Sequence, residues 1–505
     1  MGKLIPNAFN LAVVIFVALG STACSYGMAV IGGTIGQPSF FKSMGLAMEG
    51  EEGYGRTASY IGAFNGVNCA GSAIGALGSA WFADKYSRKS TIQGAALVLS
   101  IGAAVCAGSV NLAMFLVGRL INGLGIGALV TVIPMYQAEV STPESRGFMV
   151  SMHGVMFSMG YSLSAWLNFG MYFISQKGTS SSFPWRFPIA FQMIPALLLL
   201  AGSPLLPYSP RWLVMQDRFD EALAVIKRLH RTKEDANNIL ATSEFHQIKS
   251  QVELSRHQAA NSNSSSLLRL LSTPSTRKRA IIAFFVMFNN QFTGILVLNN
   301  YLVLLLSALG LSGYLPLLLS AIYVLATFPG NIFCGLYVER FGRRTFTLIG
   351  LVGIVVVLSV EAALQAQFLG TSNRAAQNAA IVFLFLVATP FWSFFLDATQ
   401  FIYVSEIFPT HIRSQGVAVG MAGYYLADII LLCAGPTAFN TLQWRFFLLF
   451  ICYSACSAIF VYLYCPETKG RSLEEINEVF GDQLVANVED GDKKSEVAHE
   501  EELRN

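Results

Sequence analysis

Five side-chain amides interrupt a stretch of chain that is otherwise apolar enough to cross a membrane. The stretch is "FNNQFTGILVLNNY" (288–301), and its amides belong to Asn289, Asn290, Gln291, Asn299 and Asn300. An amide without a hydrogen-bond partner in hydrocarbon is costly, so each amide must bond to something. Because an amide both donates and accepts hydrogen bonds, it suits a polar ligand between helices as well as a neighbouring helix. The segment therefore predicts either a buried polar site or a set of interhelical hydrogen bonds.

Ionisable side chains also lie in apolar stretches, among them those of Asp397, Asp428 and His153. A charge at the middle of a bilayer is costly, so an acid in such a stretch is a functional candidate by default. Each carboxyl can bind and release a proton, accept hydrogen bonds from hydroxyl groups, or pair with a cation. The alternative for the acids is a hydrogen bond across helices, and the alternative for His153 is a packing role.

The composition is that of a membrane protein. Of 505 residues, 53% are hydrophobic and 12% are charged, whereas soluble chains average about 25% charged residues. Runs of about 20 mainly apolar residues match the thickness of a bilayer. The chain has twelve such runs, at residues 10–34, 57–80, 91–108, 111–133, 149–174, 184–205, 279–305, 313–336, 345–366, 378–404, 415–437 and 444–464.

The sequence has no motif for enzymatic or nucleotide-driven chemistry. We find neither a phosphate-binding loop nor a plausible Ser-His-Asp set, and the eight cysteines lack metal-ligand spacing. The net charge of +3 gives no reason to expect a nucleic acid partner. We therefore expect no enzymatic activity, no cofactor and no metal.

Positive charges concentrate on one side of the predicted spans. The loops on that side carry Lys85, Arg88, Lys89, Arg340, Arg343 and Arg344. The positive-inside rule puts this side, and both termini, in the cytosol. The longest polar segment separates six spans from six. We therefore predict an all-α membrane protein with an N-terminal six-helix bundle (1–205), a cytosolic linker with short helices (206–278), a C-terminal six-helix bundle (279–464) and a mostly disordered cytosolic tail (465–505).

Two motifs occur once in each half of the chain. "ADKYSRKS" (83–90) follows the second span and "VERFGRRT" (338–345) the eighth, while "YQAEVSTPESRG" (136–147) follows the fourth and "YVSEIFPTHIRSQG" (403–416) the tenth. The motifs align Asp84 with Glu339, Arg88 with Arg343, Glu139 with Glu406, and Arg146 with Arg413. Repeated halves with a binding site between them are typical of transporters.

The aligned charges lie at the predicted cytosolic ends of spans, where they can form a gate. Arginine bonds a carboxylate bidentately, so these groups can pair when the halves close on that side and separate when they open. Such a cluster biases the equilibrium between two conformations. The alternative is that the charges only anchor the helices at the membrane interface.

Three further motifs identify a family resemblance. They are "GRLINGLGIG" (118–127), "PYSPRWL" (207–213) and "PETKGRSLEE" (466–475). Together with the two repeated motifs they make residues 10–480 resemble the sugar porter family of the major facilitator superfamily, and its fungal members most. The resemblance implies the major facilitator fold of twelve spans in two halves. It also implies that Arg119 belongs to the cytosolic gate.

The resemblance answers what the amides of 288–301 would bind. In the family this span carries two glutamines, a glycine that lets the helix break, an asparagine and two tyrosines, and its amides bond sugar hydroxyls. Asn290, Gln291, Gly294 and Tyr301 match that pattern, so we expect them in the substrate site. Asn300, which replaces the first tyrosine, is a further candidate.

The sequence departs from the family at several positions of the expected site. Leu296 stands where the family has asparagine, and Gly154 where it has a sugar-binding glutamine. Asp428 replaces another sugar-binding asparagine. Nearby aromatic candidates are Tyr425, at a matching aromatic position, and Trp166, which can stack on a sugar face.

The residues and the resemblance together predict a secondary carrier that moves a hexose or small oligosaccharide by alternating access. Facilitated diffusion is favoured over proton symport, because Gly27 replaces the acid that proton-coupled members use. Asp397, Asp428 and His153 keep proton coupling open. The alternatives are a carrier of a polyol, a quinate-like acid or a secondary product, and a sugar sensor that does not transport. We expect a monomer in the plasma membrane, with a sugar-like substrate and, for symport, protons as its partners.

Overall fold

The helices of the chain cover almost all of the residues that the structure describes. The structure is a computed structural model that describes residues 7–35, 37–47, 51–142, 145–175, 182–230, 239–260, 270, 273–368, 373–409, 412–471, 476 and 478–481. The acidic end of the predicted disordered tail (482–505) lies outside these ranges.

The helices fall into a first half, a linker and a second half. The first half contains α1 (Ala8–Val17), α2 (Leu19–Thr34), α3 (Pro38–Met44), α4 (Tyr54–Lys85), α5 (Arg88–Ala107), α6 (Leu112–Val140), α7 (Arg146–Ser175), α8 (Phe183–Phe191) and α9 (Met193–Gly202). The linker contains α10 (Pro210–Met215), α11 (Phe219–Leu229) and α12 (Ile239–Ala260). The second half contains α13 (Pro274–Gln291), α14 (Ile295–Ala308), α15 (Leu315–Leu325), α16 (Phe328–Phe341), α17 (Arg343–Phe368), α18 (Arg374–Leu386), α19 (Asp397–Glu406), α20 (Arg413–Leu442) and α21 (Arg445–Tyr464).

The described helices are long and apolar enough to cross a membrane many times. Ten helical segments among them meet both length and hydropathy requirements for a span. Two more, α4 with 32 residues and α7 with 30, are long enough but less apolar, because they carry polar residues on faces buried inside the protein. Together these supply twelve spans, so the all-α membrane fold predicted from the sequence is confirmed.

Glycines let α4 and α6 pack at backbone contact. A Cβ on Gly127 would lie 1.8 Å from the carbonyl oxygen of Ser72, and one on Gly123 would lie 2.2 Å from that of Asn68. Helices in membranes associate through such small residues, because lipid is as apolar as the side chains and packing must supply the attraction. In "GRLINGLGIG" the glycines at 123 and 127 therefore serve the contact with α4, and those at 118 and 125 face α5.

The seventh span is broken where the sequence predicts it. Helix α13 ends at Gln291 and α14 begins at Ile295, and between them Gly294 has φ +87°. A left-handed φ suits glycine and disfavours residues with a Cβ. The tenth span is also irregular, since a π-helical turn over Val387–Ser393 separates α18 from α19.

The linker docks against one end of the first half. The hydroxyl of Tyr136 donates to the carbonyl of Pro207 (2.8 Å), and the indole of Trp212 donates to the carbonyl of Asp84 (3.1 Å). We call this end of the molecule, where α4 and α6 terminate, the linker face. The opposite end, where α4 and α6 begin, is the distal face.

Candidate functional site

A chamber of about 460 Å³ lies between the two halves, and we call it the central chamber. Helix α7 of the first half forms one wall, and α13, α14, α15, α19 and α20 of the second half form the others. Aromatic rings of Phe157, Tyr161, Trp392 and Tyr424 line much of it. A cavity lined by a few polar groups among apolar and aromatic ones is the usual form of a small-molecule site.

Two amides of the seventh span, those of Gln291 and Asn299, line the central chamber. The side-chain nitrogen of Gln291 is buried without a hydrogen-bond partner among the described residues. Its neighbours bond to other helices instead: Asn290 donates to the side-chain oxygen of Gln400 (3.3 Å), and Asn289 accepts from the hydroxyl of Tyr453 (2.9 Å). Of these three amides, only Gln291 is therefore left to bind a ligand in the chamber.

The first carboxyl in the chamber wall belongs to Asp397. Its Oδ2 accepts a hydrogen bond from the amide of Asn331 (2.7 Å), and the same amide nitrogen contacts the hydroxyl of Ser158 in the first half (2.7 Å). A Cβ added at Gly154 would lie 2.8 Å from the amide oxygen of Asn331. Asn331 thus fills space beside the position where the family has its glutamine.

The second carboxyl, that of Asp428, is fully buried, and neither of its oxygens has a hydrogen-bond partner among the described residues. Asp428 lies one helical turn beyond Tyr424, which lines the central chamber. Asp428 lies within electrostatic range of Cys69 and Tyr161 of the first half, so it is near the boundary between the halves. It is not among the residues that line the central chamber.

Arg119 does not lie at the linker face, so its assignment to the cytosolic gate is wrong. It precedes Glu139 by twenty residues on α6, which corresponds to about 30 Å of helix. Its guanidinium donates to the carbonyls of Gly27 (2.9 Å) and Phe64 (3.2 Å) inside the first half. A Cβ at Gly27 would lie 2.7 Å from Oε1 of Gln192, so the side chain of Gln192 would have to move to accommodate the acid of proton-coupled members.

Trp166 does not line the chamber, contrary to prediction. Its side chain is 39% exposed on the outside of α7 and packs edge-on against Phe169. The face of α7 that meets the second half carries Tyr161 and Asn168, and Trp166 is turned about 140° from Tyr161 because each helical residue adds about 100°.

The hydroxyl of Tyr301 is committed to the protein. It donates to the carbonyl of Leu432 (2.8 Å) and contacts the amide of Asn65 in the first half (3.4 Å). Tyr425 is fully buried, and its hydroxyl has no hydrogen-bond partner among the described residues. Neither residue is among those that line the central chamber.

His153 takes part in helix packing. Its Nδ1 shares a hydrogen bond of 2.7 Å with the hydroxyl of Ser21, and its ring lies 4.6 Å from that of Phe401 in the second half. Asn300 lines a second chamber nearer the distal face and donates to the carbonyl of Leu296 (3.0 Å). Leu296 itself lines the central chamber, so an apolar side chain stands where the family pattern has an amide.

At the linker face, each half contains a buried ion pair network. In the first half the guanidinium of Arg88 contacts both oxygens of Glu139 (3.1 Å each) and one of Asp84 (3.1 Å). In the second half the guanidinium of Arg343 contacts Glu406 (2.8 Å) and Glu339 (2.7 Å). The aligned residues of the two repeats thus form the same network twice.

The networks also connect the halves. Asp84 accepts hydrogen bonds from the hydroxyl of Ser414 and the amide of Gln415 (2.6 Å each), and Glu339 accepts one from the backbone N–H of Gly147 (2.9 Å). The remaining arginines lie within electrostatic range of acids in the opposite half. These pairs are Arg413 with Glu139 and Arg146 with Glu406. The two networks are therefore joined across the interface between the halves.

Several residues of the site were not predicted from the sequence. Trp392 lines the central chamber and Asn331 bonds to Asp397, but both lie outside the motifs quoted above. Asn168 lies only two residues from Trp166, which was predicted instead. The spacing along the helix could have predicted Asn168, because Tyr161 and Asn168 are seven residues apart and therefore share one face of a helix.

Comparisons with known proteins agree with the fold and the motifs. The model of the family "Sugar (and other) transporter" matches residues 13–480. The MFS-type transporter criB of Aspergillus cristatus is 32% identical, over 84% of this chain and 85% of that protein. The low-affinity glucose transporter HXT3 of Saccharomyces cerevisiae is 28% identical, over 93% of this chain and 82% of that protein.

A solved structure has the same fold. The proton:xylose symporter XylE bound to 6-bromo-6-deoxy-D-glucose superposes with a TM-score of 0.80 at 24% identity, over 94% of this chain and 100% of that chain. The assignment rests on the repeated motifs, on the two networks at the linker face and on the family match over nearly the whole chain. The chain belongs to the sugar (and other) transporter family of the major facilitator superfamily.

Proposed function

We propose that the protein carries a hexose across a membrane by alternating access. The two bundles, 1–205 and 279–464, move against each other about the central chamber, and the segment 206–278 connects them. The observation that carries the proposal is the amide of Gln291, which is buried, unpartnered and directed to a chamber between the halves. A sugar hydroxyl supplies the missing acceptor, and transport requires that both halves contact the same ligand.

The names of relatives support a sugar as the substrate. One relative is a glucose transporter of Saccharomyces cerevisiae, and another is the MFS glucose transporter mfs1 of Aspergillus flavus. Aromatic rings beside polar groups suit a sugar, whose ring has an apolar face and a rim of hydroxyls. Because the chain matches a family of transporters, we expect it to transport its substrate without changing it chemically.

Facilitated diffusion is favoured over proton symport, because the first half lacks the acid that couples protons in the family. The family position of the proton-coupling acid is Gly27, and Gln192 fills the space beside it. The protein functions as a monomer in the plasma membrane with both termini in the cytosol, so the linker face is cytosolic. The arginine and lysine residues near that face agree with this orientation.

Uptake of labelled glucose by a yeast strain without its own hexose carriers tests the proposal. The wild type should restore uptake, and Gln291→Ala should raise KM about tenfold, because one amide hydrogen bond in a buried site contributes about 1–3 kcal/mol. Asn289→Ala is the matched control, since its amide bonds to Tyr453 away from the chamber, and KM should stay unchanged. Absence of hexose uptake by the expressed wild type would refute the proposed function.

A further inference from the structure

Helix α7 of the first half packs along α16 of the second half, from the linker face to the central chamber. At the linker face, the backbone N–H of Gly147 donates to the carboxylate of Glu339 (2.9 Å). One turn farther from that face the helices are in close contact, since a Cβ on Gly335 would lie 2.1 Å from the hydroxyl oxygen of Ser151. We call this contact the seam. Its residues are Gly147, Ser151, Gly154 and Ser158 on α7, with Asn331, Gly335 and Glu339 on α16.

Asn331 joins the two sides of the seam at the level of the central chamber. Its side-chain nitrogen lies 2.7 Å from the hydroxyl oxygen of Ser158 in the first half and 2.7 Å from Oδ2 of Asp397 in the second. An amide nitrogen carries two hydrogens, so it can donate to both oxygens at once. Ser158 and Asp397 both line the central chamber, whereas Asn331 is fully buried and is not among the lining residues. One buried amide thus connects the halves through two groups of the chamber wall.

The orientation of this amide is fixed by Asp397. An ionised carboxylate can only accept hydrogen bonds, so the group that faces Asp397 must be the amide nitrogen. The amide oxygen of Asn331 then faces Gly154, where an added Cβ would lie 2.8 Å from it, and it has no hydrogen-bond partner among the described residues. A buried oxygen without a partner is costly. Residues that are kept at such a cost are expected where they serve function.

The two hydrogen bonds across the seam are linked by rigid helices. Ser158 follows Gly147 by eleven residues on α7, which is about 16 Å, and Asn331 precedes Glu339 by eight on α16, which is about 12 Å. Both helices are continuous over these stretches, so separating them at the linker face pulls Asn331 away from Ser158. The bond at the chamber therefore opposes opening at the linker face.

We propose that Asn331 is a positioning residue that couples a ligand in the central chamber to opening at the linker face. In the empty protein its amide holds Ser158 and Asp397 and keeps the seam closed. A sugar hydroxyl in the chamber competes with the amide for the same two oxygens and weakens the bond between the halves. A ligand shifts a conformational equilibrium only through contacts that differ between the two states, and these contacts differ. The inference rests on the proposed sugar transport and identifies where the substrate acts on the conformational change.

Hydrogen–deuterium exchange in the full-length protein, with and without saturating glucose, tests this coupling. Ser158→Ala removes the acceptor in the first half and keeps the bond between Asn331 and Asp397. In the empty protein it should accelerate exchange at the start of α7 about threefold or more, because the closed seam loses a hydrogen bond. Glucose should accelerate the same exchange in the wild type and change it little in Ser158→Ala. A hydroxyl with only a packing role would not make exchange depend on glucose.

Ser162→Ala is the matched control, because Ser162 lies one turn farther along α7 and its hydroxyl is bonded to the carbonyl of Ser158 in the same helix (2.9 Å). Its exchange should equal that of the wild type with and without glucose. Adding Ser158→Ala to Asn331→Ala should produce no further acceleration, since both substitutions remove the same bond across the seam. Should Asn331→Ala fail to fold, Ser158→Ala decides the result alone.

The inference is overturned if the empty Ser158→Ala protein exchanges like the wild type, or if glucose accelerates exchange equally in both. It is also overturned if the wild type takes up glucose while its exchange at the start of α7 does not respond to glucose. Absence of glucose uptake would instead refute the proposed function, and the empty proteins would still show whether Asn331 holds the seam closed.

Discussion

Glu339 in the second half accepts a hydrogen bond of 2.9 Å from the backbone N–H of Gly147 in the first half. Asp84, its counterpart in the repeat, accepts one of 2.6 Å from the hydroxyl of Ser414 in the second half. Gly147 and Ser414 each follow the first residue of a helix, α7 and α20, so each acid meets a helix N-terminus of the other half. A helix N-terminus favours negative charge. The halves are thus joined at the linker face at two corresponding positions of the repeat.

The first prediction concerns these bonds. Glu339→Gln should loosen the linker face, because a hydrogen bond to a charged group is worth about 1.5–3 kcal/mol and the variant removes the charge. Hydrogen–deuterium exchange in the peptide that begins α7 should accelerate about tenfold or more. Mass spectrometry of the exchanged protein measures this rate.

Glu221→Gln is the matched control for that measurement. Glu221 is an exposed acid of the linker that pairs with Arg218 (2.9 Å) on the same short segment. Its loss should leave exchange at the start of α7 unchanged. Equal acceleration in both variants, or no acceleration in Glu339→Gln, would show that the bond between Glu339 and Gly147 does not hold the halves together.

The second prediction concerns the hydrogen bonds of the Tyr301 hydroxyl, which lie nearer the distal face than the two networks. Tyr301→Phe removes the hydroxyl that bonds Leu432 and Asn65, and it leaves a buried carbonyl unsatisfied. We expect a loss of about 1–3 kcal/mol of stability, seen as a lower Tm in detergent. Tyr323→Phe is the control, since the hydroxyl of Tyr323 is buried without a partner among the described residues. It should leave Tm unchanged or raise it, and an equal fall in both variants would contradict the account.

The charged networks at the linker face were easier to predict from the sequence than the lining of the central chamber. Their residues recur in both halves at the same spacing, so the repeat identifies them without a structure. Arg119 was misplaced because it occurs in one motif only and has no repeat partner to show which end of the helix it occupies. Its position on α6, about five and a half helical turns from Glu139, shows that it lies away from the linker face.

The amides of the seventh span show why the site could not be predicted in detail. A helical wheel predicts which residues are buried from the difference between a lipid-exposed face and a buried face. It cannot separate Asn289, Asn290 and Gln291, because all three are buried. When each face of a helix is covered, the neighbouring helix decides whether an amide bonds to protein or faces a cavity. That neighbour is Tyr453 for Asn289 and Gln400 for Asn290. Sequence spacing along one helix contains no information about these partners.

The third prediction concerns the break in the seventh span. Gly294→Ala places a Cβ in a left-handed conformation and 2.6 Å from the ring of Phe450. We expect a cost of about 1–3 kcal/mol and a clear loss of glucose uptake, because the helix end that positions Gln291 must shift. Gly170→Ala on α7 is the control. Its Cβ would meet nothing within 4 Å, and the variant should be as stable as the wild type or slightly more stable. Normal uptake by Gly294→Ala would show that the break is dispensable.

The fourth prediction concerns the buried acid near the boundary between the halves. Asp428→Asn should raise Tm by about 2 °C or more, since a carboxyl without partners is costly to bury, while uptake of glucose falls. Residues kept at a cost in stability are expected at functional sites. Asp397→Asn should not raise Tm, because its carboxylate already accepts from Asn331. Unchanged uptake by Asp428→Asn would exclude this residue from the transport mechanism.

The central claim is that one chamber between two halves is exposed to each side of the membrane in turn. Counterflow in proteoliposomes measures this most directly: vesicles are loaded with unlabelled glucose and diluted into a trace of labelled glucose. A carrier that exchanges sugar through a single alternating site should accumulate the label transiently above its equilibrium level. Entry of label only to equilibrium, without an overshoot, would contradict alternating access, and no entry at all would contradict sugar transport.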